Sequence, residues 1–333
     1  MVVGMPKISA IRAREALDRA RQDAAHPGTG PRIAIGPRPA EWAAAAIRRG
    51  GGEPVPLGQE PEGLVWTDGA ALEDLRDALA TEPRISWVQL PQAGIERAVD
   101  AGVVDHQRRW TSAKGAFAEP VAEHALVLLL AGLRQLTVRA RARSWGEPGG
   151  ESLFGQPVTI VGGGGIATVL LRLLEPFRTQ VTVVRRRAEP LPGAARTVGT
   201  DRLAEALSGA RAVVLTLALT PQTRGLIGRA ELAAMERDGW LVNVARGSLV
   251  DTGALVDALL AGQIGGAALD VTDPEPLPPG HPLWDLPNCL ITPHTADTED
   301  MIRPLLADRI ADNVRRLAAG RELVGLVDPD LGY

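Results

Sequence analysis

The chain has a single cysteine, Cys289, among 333 residues. One thiol cannot close an intrachain disulfide, so a disulfide-framed secreted scaffold is excluded. A reducing compartment, the cytoplasm, is the expected location. Long apolar runs are missing too. The longest, Ala125 to Leu133, falls far short of the roughly 20 residues of a membrane span. The leading stretch MVVGMPKISAIRAREALDRARQDAA lacks the apolar centre of a signal peptide. Nor is there an excess of one charge: formal net charge is −4 and the sequence pI near 5.8. That balance argues against a general nucleic-acid binder and against a basic membrane-surface protein. No internal repeat of short fixed period is visible.

What is present is a soluble-type composition, 45% hydrophobic and 23% charged, in a chain long enough for two domains. Within residues 1 to 30, ISAIRAREALDRARQDAA has helical spacing and ends at the breaker stretch HPGTG. From Pro31 strands and helices alternate: RIAIG, AEWAAAAIRRG, GLVWT, ALEDLRDALA and ISWVQL. Such alternation implies a parallel sheet. AEHALVLLLAGLRQLTVRARARSW reads as one long helix, and GEPGGESLFGQP as a connection. A second series follows, with strands VTIVG, VTVV, AVVLTLAL, WLVNVA, GGAALDV and CLITP. The helices GIATVLLRLLEPF, DRLAEALS, RAELAAME and DTGALVDALLAG fall between them, and DMIRPLLADRIADNVRRLAAG closes the chain.

TIVGGGGIATVLLRLL sets Gly162, Gly164 and Ala167 in a GxGxxA pattern after a strand and at the start of a helix. The first glycine permits a tight turn, the second lets backbone approach a pyrophosphate, and the small third residue allows close helix–strand packing. The next strand ends in VTVVRRR. An NAD site usually has an acidic residue there, bonded to the ribose hydroxyls. Arg185 stands in its place, and a guanidinium pairs with a 2′-phosphate where a carboxylate would repel it. The expected cofactor is therefore NADP, with NAD as the alternative. Arg185 and Arg186 are the candidate contacts, and Arg187 is expected to be solvated. The competing reading is a solvated charge run after a strand.

Three further stretches stand out: NVARGSLVD, ALDV followed by EPLP, and TPH. With the glycine loop, and in this order, they resemble the D-isomer-specific 2-hydroxyacid dehydrogenase family from about Ile85 to about Arg303. The resemblance implies that Arg246 binds a substrate carboxylate and polarises the adjacent carbonyl. It implies that His294 is the acid/base and that Glu275 pairs with it, with Asp273 as the nearby competitor. The chemistry suits these residue types. Reducing a 2-keto acid needs a hydride on carbon and a proton on oxygen, a histidine can carry that proton near neutral pH, and a neighbouring carboxylate favours the imidazolium. The resemblance further assigns Asp270 to the neighbourhood of the nicotinamide carboxamide. It places Gly165, Ile166, Leu217 and Val244 along the cofactor, and Ala93 and Gly94 in a loop whose amides hold the substrate carboxylate. Of the other histidines, His124 is read as structural, and His26, His106 and His281 as loop residues.

The match has departures. Gly165 stands where arginine often grips the pyrophosphate, Ala218 where proline is common, and Asp297 where glycine and small residues are usual. An acid at 297 would disfavour an anionic substrate if it points inward.

The fold class implied is α/β, with two Rossmann-like/flavodoxin-like doubly wound parallel-sheet domains and the active site in the cleft between them. Residues 119–296 would form the dinucleotide-binding domain, and 1–118 the substrate domain, completed by 297–333. The helix AEHALVLLLAGLR is apolar on nearly all sides and must be covered all round, either within one chain or across a homodimer interface. The leading function is hydride transfer between NAD(P)H and a small 2-keto or D-2-hydroxy acid of the glyoxylate or hydroxypyruvate kind. A phosphoglycerate-dehydrogenase-like enzyme and a non-catalytic dinucleotide sensor are the alternatives.

Overall fold

The computed structural model describes residues 30–331. The helix read near the N-terminus lies outside the described residues. Two parallel sheets carry the fold. The first holds β1 (Arg32–Gly36), β2 (Glu53–Val55), β3 (Gly63–Trp66), β4 (Trp87–Gln89) and β5 (Arg109–Thr111), in the order β2-β1-β3-β4-β5. The second holds β6 (Pro157–Val161), β7 (Gln180–Val184), β8 (Arg196–Val198), β9 (Ala212–Leu215), β10 (Trp240–Asn243), β11 (Gly266–Leu269) and β12 (Cys289–Ile291). Its order is β12-β11-β10-β9-β6-β7-β8.

Helices cover both faces of such sheets, so central strands are apolar on both sides. AVVL of β9 and WLVN of β10 are buried at every position. In the second sheet the chain runs β6, β7, β8 outward, then returns to β9 on the other side of β6. That reversal opens a crevice beyond the carboxyl ends of β6 and β9, where doubly wound sheets bind ligands. In the first sheet the equivalent reversal lies between β1 and β3.

Helix α1 (Glu41–Arg49) and helix α2 (Leu72–Thr81) flank the first sheet, with the short α3 (Glu96–Asp100) after β4. The chain then enters α4 (Ala118–Leu133) and α5 (Leu136–Arg141). This corrects the expectation of one long helix: Gln135 takes a left-handed conformation, φ 54°, and breaks it. Helix α4 also starts earlier than read, with Pro120 in its first turn, where a missing N–H costs nothing. It packs on α6 (Gly165–Leu174) and under β10 and β11, yet Val127 is 53% exposed. One chain alone therefore does not cover it all round. The strand read as AVVLTLAL ends at Leu215, because Thr216 and Leu217 turn against the glycine loop.

Between the remaining strands lie α7 (Leu203–Leu207), α8 (Arg229–Ala234) and α9 (Thr252–Leu260). Asp251 caps α9, its carboxylate accepting from the Ala254 N–H at 2.9 Å. The last helix, α10 (Glu299–Ala318), crosses back to pack on α1 of the first sheet. Its buried Asn313 donates to Gln89 of β4 at 3.0 Å, and Leu326 makes an antiparallel bridge to Thr111.

Candidate active site

The glycine loop sits at the reversal point of the second sheet. Gly162 has φ +117°, and a Cβ there would lie 2.7 Å from the Thr216 carbonyl carbon and 2.8 Å from the Leu217 nitrogen. Only glycine fits the turn. Gly164, just before α6, differs: a Cβ there would meet nothing within 4 Å. No side chain caps this helix end. An open approach onto uncapped N–H groups suits a phosphate, so the loop fits a dinucleotide. Gly165 lies tight against the first half of the chain, its added Cβ being 3.1 Å from the Gly115 Cα. That contact accounts for the absence of a long side chain there. Ile166 and Leu217 are partly buried, and Val244 is buried.

Arg185 leaves β7 and folds over the loop, its Cδ 2.9 Å from where a Cβ on Gly163 would be. Glu189 faces two of these arginines, 3.9 Å from Arg185 and 3.8 Å from Arg187. Both distances exceed those of a charge-assisted hydrogen bond. Arg186 and Arg187 are exposed.

Three loops beyond neighbouring strands supply the other candidates. After β10, the Asn243 side chain shapes the turn, its Nδ2 donating to the Arg246 carbonyl at 2.8 Å and its Oδ1 accepting from the Ala245 N–H at 3.0 Å. The Arg246 guanidinium donates through Nη1 to the Ala245 carbonyl at 2.7 Å, and its Nε lies 3.4 Å from Glu96 Oε1. A Cβ on Gly94 would sit 1.7 Å from Arg246 Nη2 and 2.6 Å from Glu96 Oε2. The two sheets thus meet here, with the loop after β4 against the arginine after β10.

After β11, Glu275 Oε1 lies 2.6 Å from His294 Nδ1. Asp273, the competing acid, instead accepts from the Ser248 hydroxyl at 2.6 Å. With Nδ1 held, His294 has Nε2 left to face a ligand, and the residue is part-exposed. His294 itself has φ +50°, a left-handed conformation unusual outside glycine. It is held there by its N–H donating to the Asp270 carbonyl at 2.8 Å.

Asp270 organises this loop from beneath. It is 2% exposed. Oδ1 accepts from the Thr292 hydroxyl at 2.6 Å and the Thr295 N–H at 2.9 Å, and Oδ2 from the Ala296 N–H at 3.1 Å. His124 Nε2 of α4 lies 3.0 Å from Thr292 Oγ1 and 3.3 Å from Asp270 Oδ1. Burial would raise the Asp270 pKa, but the hydrogen bonds from His124, Thr292 and the two amides together hold it down at about 2. Asp297 is the opposite case. Burial pushes its carboxyl above the ordinary value and Asp270 adds to the rise, while His294 and Arg246 act against it.

The structure therefore brings together Arg246, Glu275, His294, Asp270, Ala93 and Gly94 near one cleft, with Arg185 at the glycine loop. Three partners carry no mark in the sequence. Glu96 lies on a short helix, Thr292 looks like an ordinary strand end, and His124 is 168 positions from its hydroxyl partner. No local signal could have found them, since only the fold makes them neighbours. Among the described residues no cluster of His, Cys, Asp and Glu could hold a metal ion.

The model of the D-isomer specific 2-hydroxyacid dehydrogenase NAD binding domain matches residues 124–296. A protein of Corynebacterium melassecola is 38% identical over 301 residues, covering 88% of this chain and 97% of that protein. The glyoxylate reductase/hydroxypyruvate reductase of Mus musculus is 30% identical over 317 residues, 86% of this chain and 96% of its own length. Among solved structures, a D-isomer specific 2-hydroxyacid dehydrogenase from Xanthobacter autotrophicus Py2, in complex with NADPH and MES, superposes with a TM-score of 0.80. It is 26% identical and covers 92% of this chain and all of that one.

Proposed function

The chain belongs to the D-isomer-specific 2-hydroxyacid dehydrogenase family, and on that footing we propose that it reduces small 2-keto acids of the glyoxylate and hydroxypyruvate kind to D-2-hydroxy acids with NADPH. The observation that carries this reading is the pair His294 Nδ1 and Glu275 Oε1, 2.6 Å apart, on the same cleft as a guanidinium seated against Gly94. Arg246 takes the substrate carboxylate, helped by backbone around Ala93 and Gly94, and its charge polarises the adjacent carbonyl. His294 delivers a proton from Nε2 to the carbonyl oxygen, and Glu275 holds the imidazolium in place. The cofactor, when bound, supplies the hydride. Gly162, Gly164, Gly165 and Ile166 cradle its pyrophosphate, and Leu217 and Val244 line its path. Asp270 fixes the loop that carries His294. Arg185, with Arg186, takes the 2′-phosphate.

Residues 119–296 serve as the cofactor domain, and 1–118 with 297–333 as the substrate domain. The contacts of α10 with α1 and of Asn313 with Gln89 support that division. The working form is a homodimer joined along α4. Val127 of α4 and Leu136 and Val138 of α5 are exposed apolar residues, and Trp145 is 97% exposed. Light scattering at micromolar concentration should give twice the chain mass, and a monomer would remove this assignment. Cytoplasmic placement is supported by the single cysteine, Cys289, which leaves no intrachain disulfide to form.

The test of function is a titration with NADPH and NADH followed by fluorescence, then a screen of 2-keto acids with the tighter cofactor. Binding without turnover of any 2-keto acid would leave a dinucleotide sensor as the better reading.

A further inference from the structure

The loop after β4 is pinned on both sides of Gly94. The Gln92 carbonyl accepts from the Ala113 N–H at 2.8 Å. Ile95, 4% exposed, packs in the core of the first sheet, and its carbonyl accepts from the Ala98 N–H at 2.9 Å. Glu96 follows as the first residue of α3. Its backbone is therefore fixed, while its side chain reaches across to Arg246 on the opposite wall.

The guanidinium it meets is already partly used. Nη1 of Arg246 donates to the Ala245 carbonyl at 2.7 Å. Nε and Nη2 remain, and together they form an edge that a carboxylate can take through two parallel bonds. Glu96 stands on that edge, its Oε1 3.4 Å from Nε. Nη2 and Glu96 Oε2 also crowd the space that Gly94 leaves open, 1.7 Å and 2.6 Å from where an added Cβ would lie. At 3.4 Å the contact is an ion pair, longer than an ordinary hydrogen bond. Both side chains keep some exposure, 23% for Glu96 and 34% for Arg246. Such a pair adds little to folding. Nor is Glu96 needed to aim the arginine, which the Ala245 carbonyl holds on a turn shaped by Asn243. What the pair does is put a negative charge where a second carboxylate would have to dock, and the two repel.

We propose that Glu96 is an internal competitor for the anion seat of Arg246. Its carboxylate occupies the Nε and Nη2 edge and swings aside when a 2-keto acid docks, so that Glu96 sets the affinity for the substrate carboxylate. The inference rests on the reading of Arg246 as the substrate arginine and adds to it the group that the substrate displaces.

The experiment titrates oxamate, a carboxylate that cannot be reduced at a keto carbon, into the protein in the presence of NADPH, followed by calorimetry. Glu96→Gln removes the charge and keeps the shape; Glu96→Ala removes the group. Each should bind oxamate about tenfold more tightly than wild type, the size expected for one partly screened charge a few ångströms from the ligand. In steady-state reduction of glyoxylate the gain should fall on KM, lowered by a similar factor, with kcat moving much less. An NADPH titration checks that each variant is folded. Oxamate affinity unchanged or weakened in both variants would overturn the proposal. So would a raised KM with a lowered kcat, the mark of a brace for Arg246. Absence of turnover with every 2-keto acid overturns the reductase reading, yet the oxamate titration still decides the place of Glu96. Failure of oxamate to bind wild type and both variants removes the anion seat, and this inference with it.

Discussion

The two walls of the cleft are built on different plans. The wall made by the second sheet carries the groups to which we give the chemistry, each at the end of a neighbouring strand and each tied down. Arg246 is set by Asn243, and His294 by Glu275 and Asp270. The wall made by the first sheet carries no group to which we give a proton-transfer role. The loop after β4 contributes room, through the missing side chain of Gly94, and a counter-charge, through Glu96. In the proposed reaction, chemistry rests on the second-sheet wall and fit on the place where the first-sheet wall touches it. Damage to the second-sheet wall should stop turnover with binding intact, whereas damage to the first-sheet wall should misplace the substrate.

The largest effect is expected at His294. His294→Ala should lower kcat by about a thousandfold, within the range for removal of a general acid, while NADPH affinity stays near wild type. Steady-state rates and a fluorescence titration check both halves, and normal turnover would withdraw the assignment. Gly94→Ala comes next and probes the opposite wall. The new methyl would sit 1.7 Å from Arg246 Nη2, so the guanidinium must move. A shift on that scale can cost about a hundredfold, here in kcat/KM for the keto acid and not in cofactor affinity. Gly164→Ala sharpens the contrast. A Cβ there meets no protein atom within 4 Å, so the fold should tolerate it while NADPH binding weakens and the KM of the keto acid holds.

Smaller still is Arg185→Asp. Charge-assisted hydrogen bonds contribute about 1.5–3 kcal/mol, so NADPH affinity should fall roughly tenfold to a hundredfold, with NADH binding unchanged or improved. Equal affinities for the two cofactors in the wild type would make the arginines a solvated run balanced by Glu189.

The plan of the two walls also governs what could be read from sequence. The central strands β9 and β10 are buried on both faces, so continuous apolar runs mark them. The strands that escaped reading, β2, β5 and β8, are three-residue edge strands each with an exposed position, and EPV, RWT and RTV carry no periodic signal. The break at Gln135 left no trace because no glycine or proline stands there. On the second-sheet wall the candidates His294, Glu275 and Arg246 stand in local sequence motifs, and the structure brings them to one region. Glu96 and His124 were not, because each acts on a residue more than a hundred positions away, and only the packed sheets bring them near. The strand order of each sheet was not legible, since short strands do not announce their neighbours.

The mildest prediction concerns what keeps the second-sheet wall rigid. Asp270 has a folded pKa of about 2, against roughly 3.9 in an unfolded chain. A depressed carboxyl contributes stability that is fully present above the unfolded value and is lost as pH falls through the folded one. The contribution should be on the order of 2 kcal/mol near neutrality, fading between about pH 4 and pH 2. Asp270→Asn keeps the shape but sets an amide N–H where the carboxylate accepts from Thr292 or the 295–296 amides. That variant should lose stability of this order at pH 7 and show a flatter acid limb. Urea midpoints from pH 2 to pH 6 measure it. An identical acid limb in the variant would mean that the loop beneath His294 is held by its backbone bond to the Asp270 carbonyl and by packing, not by the buried carboxylate.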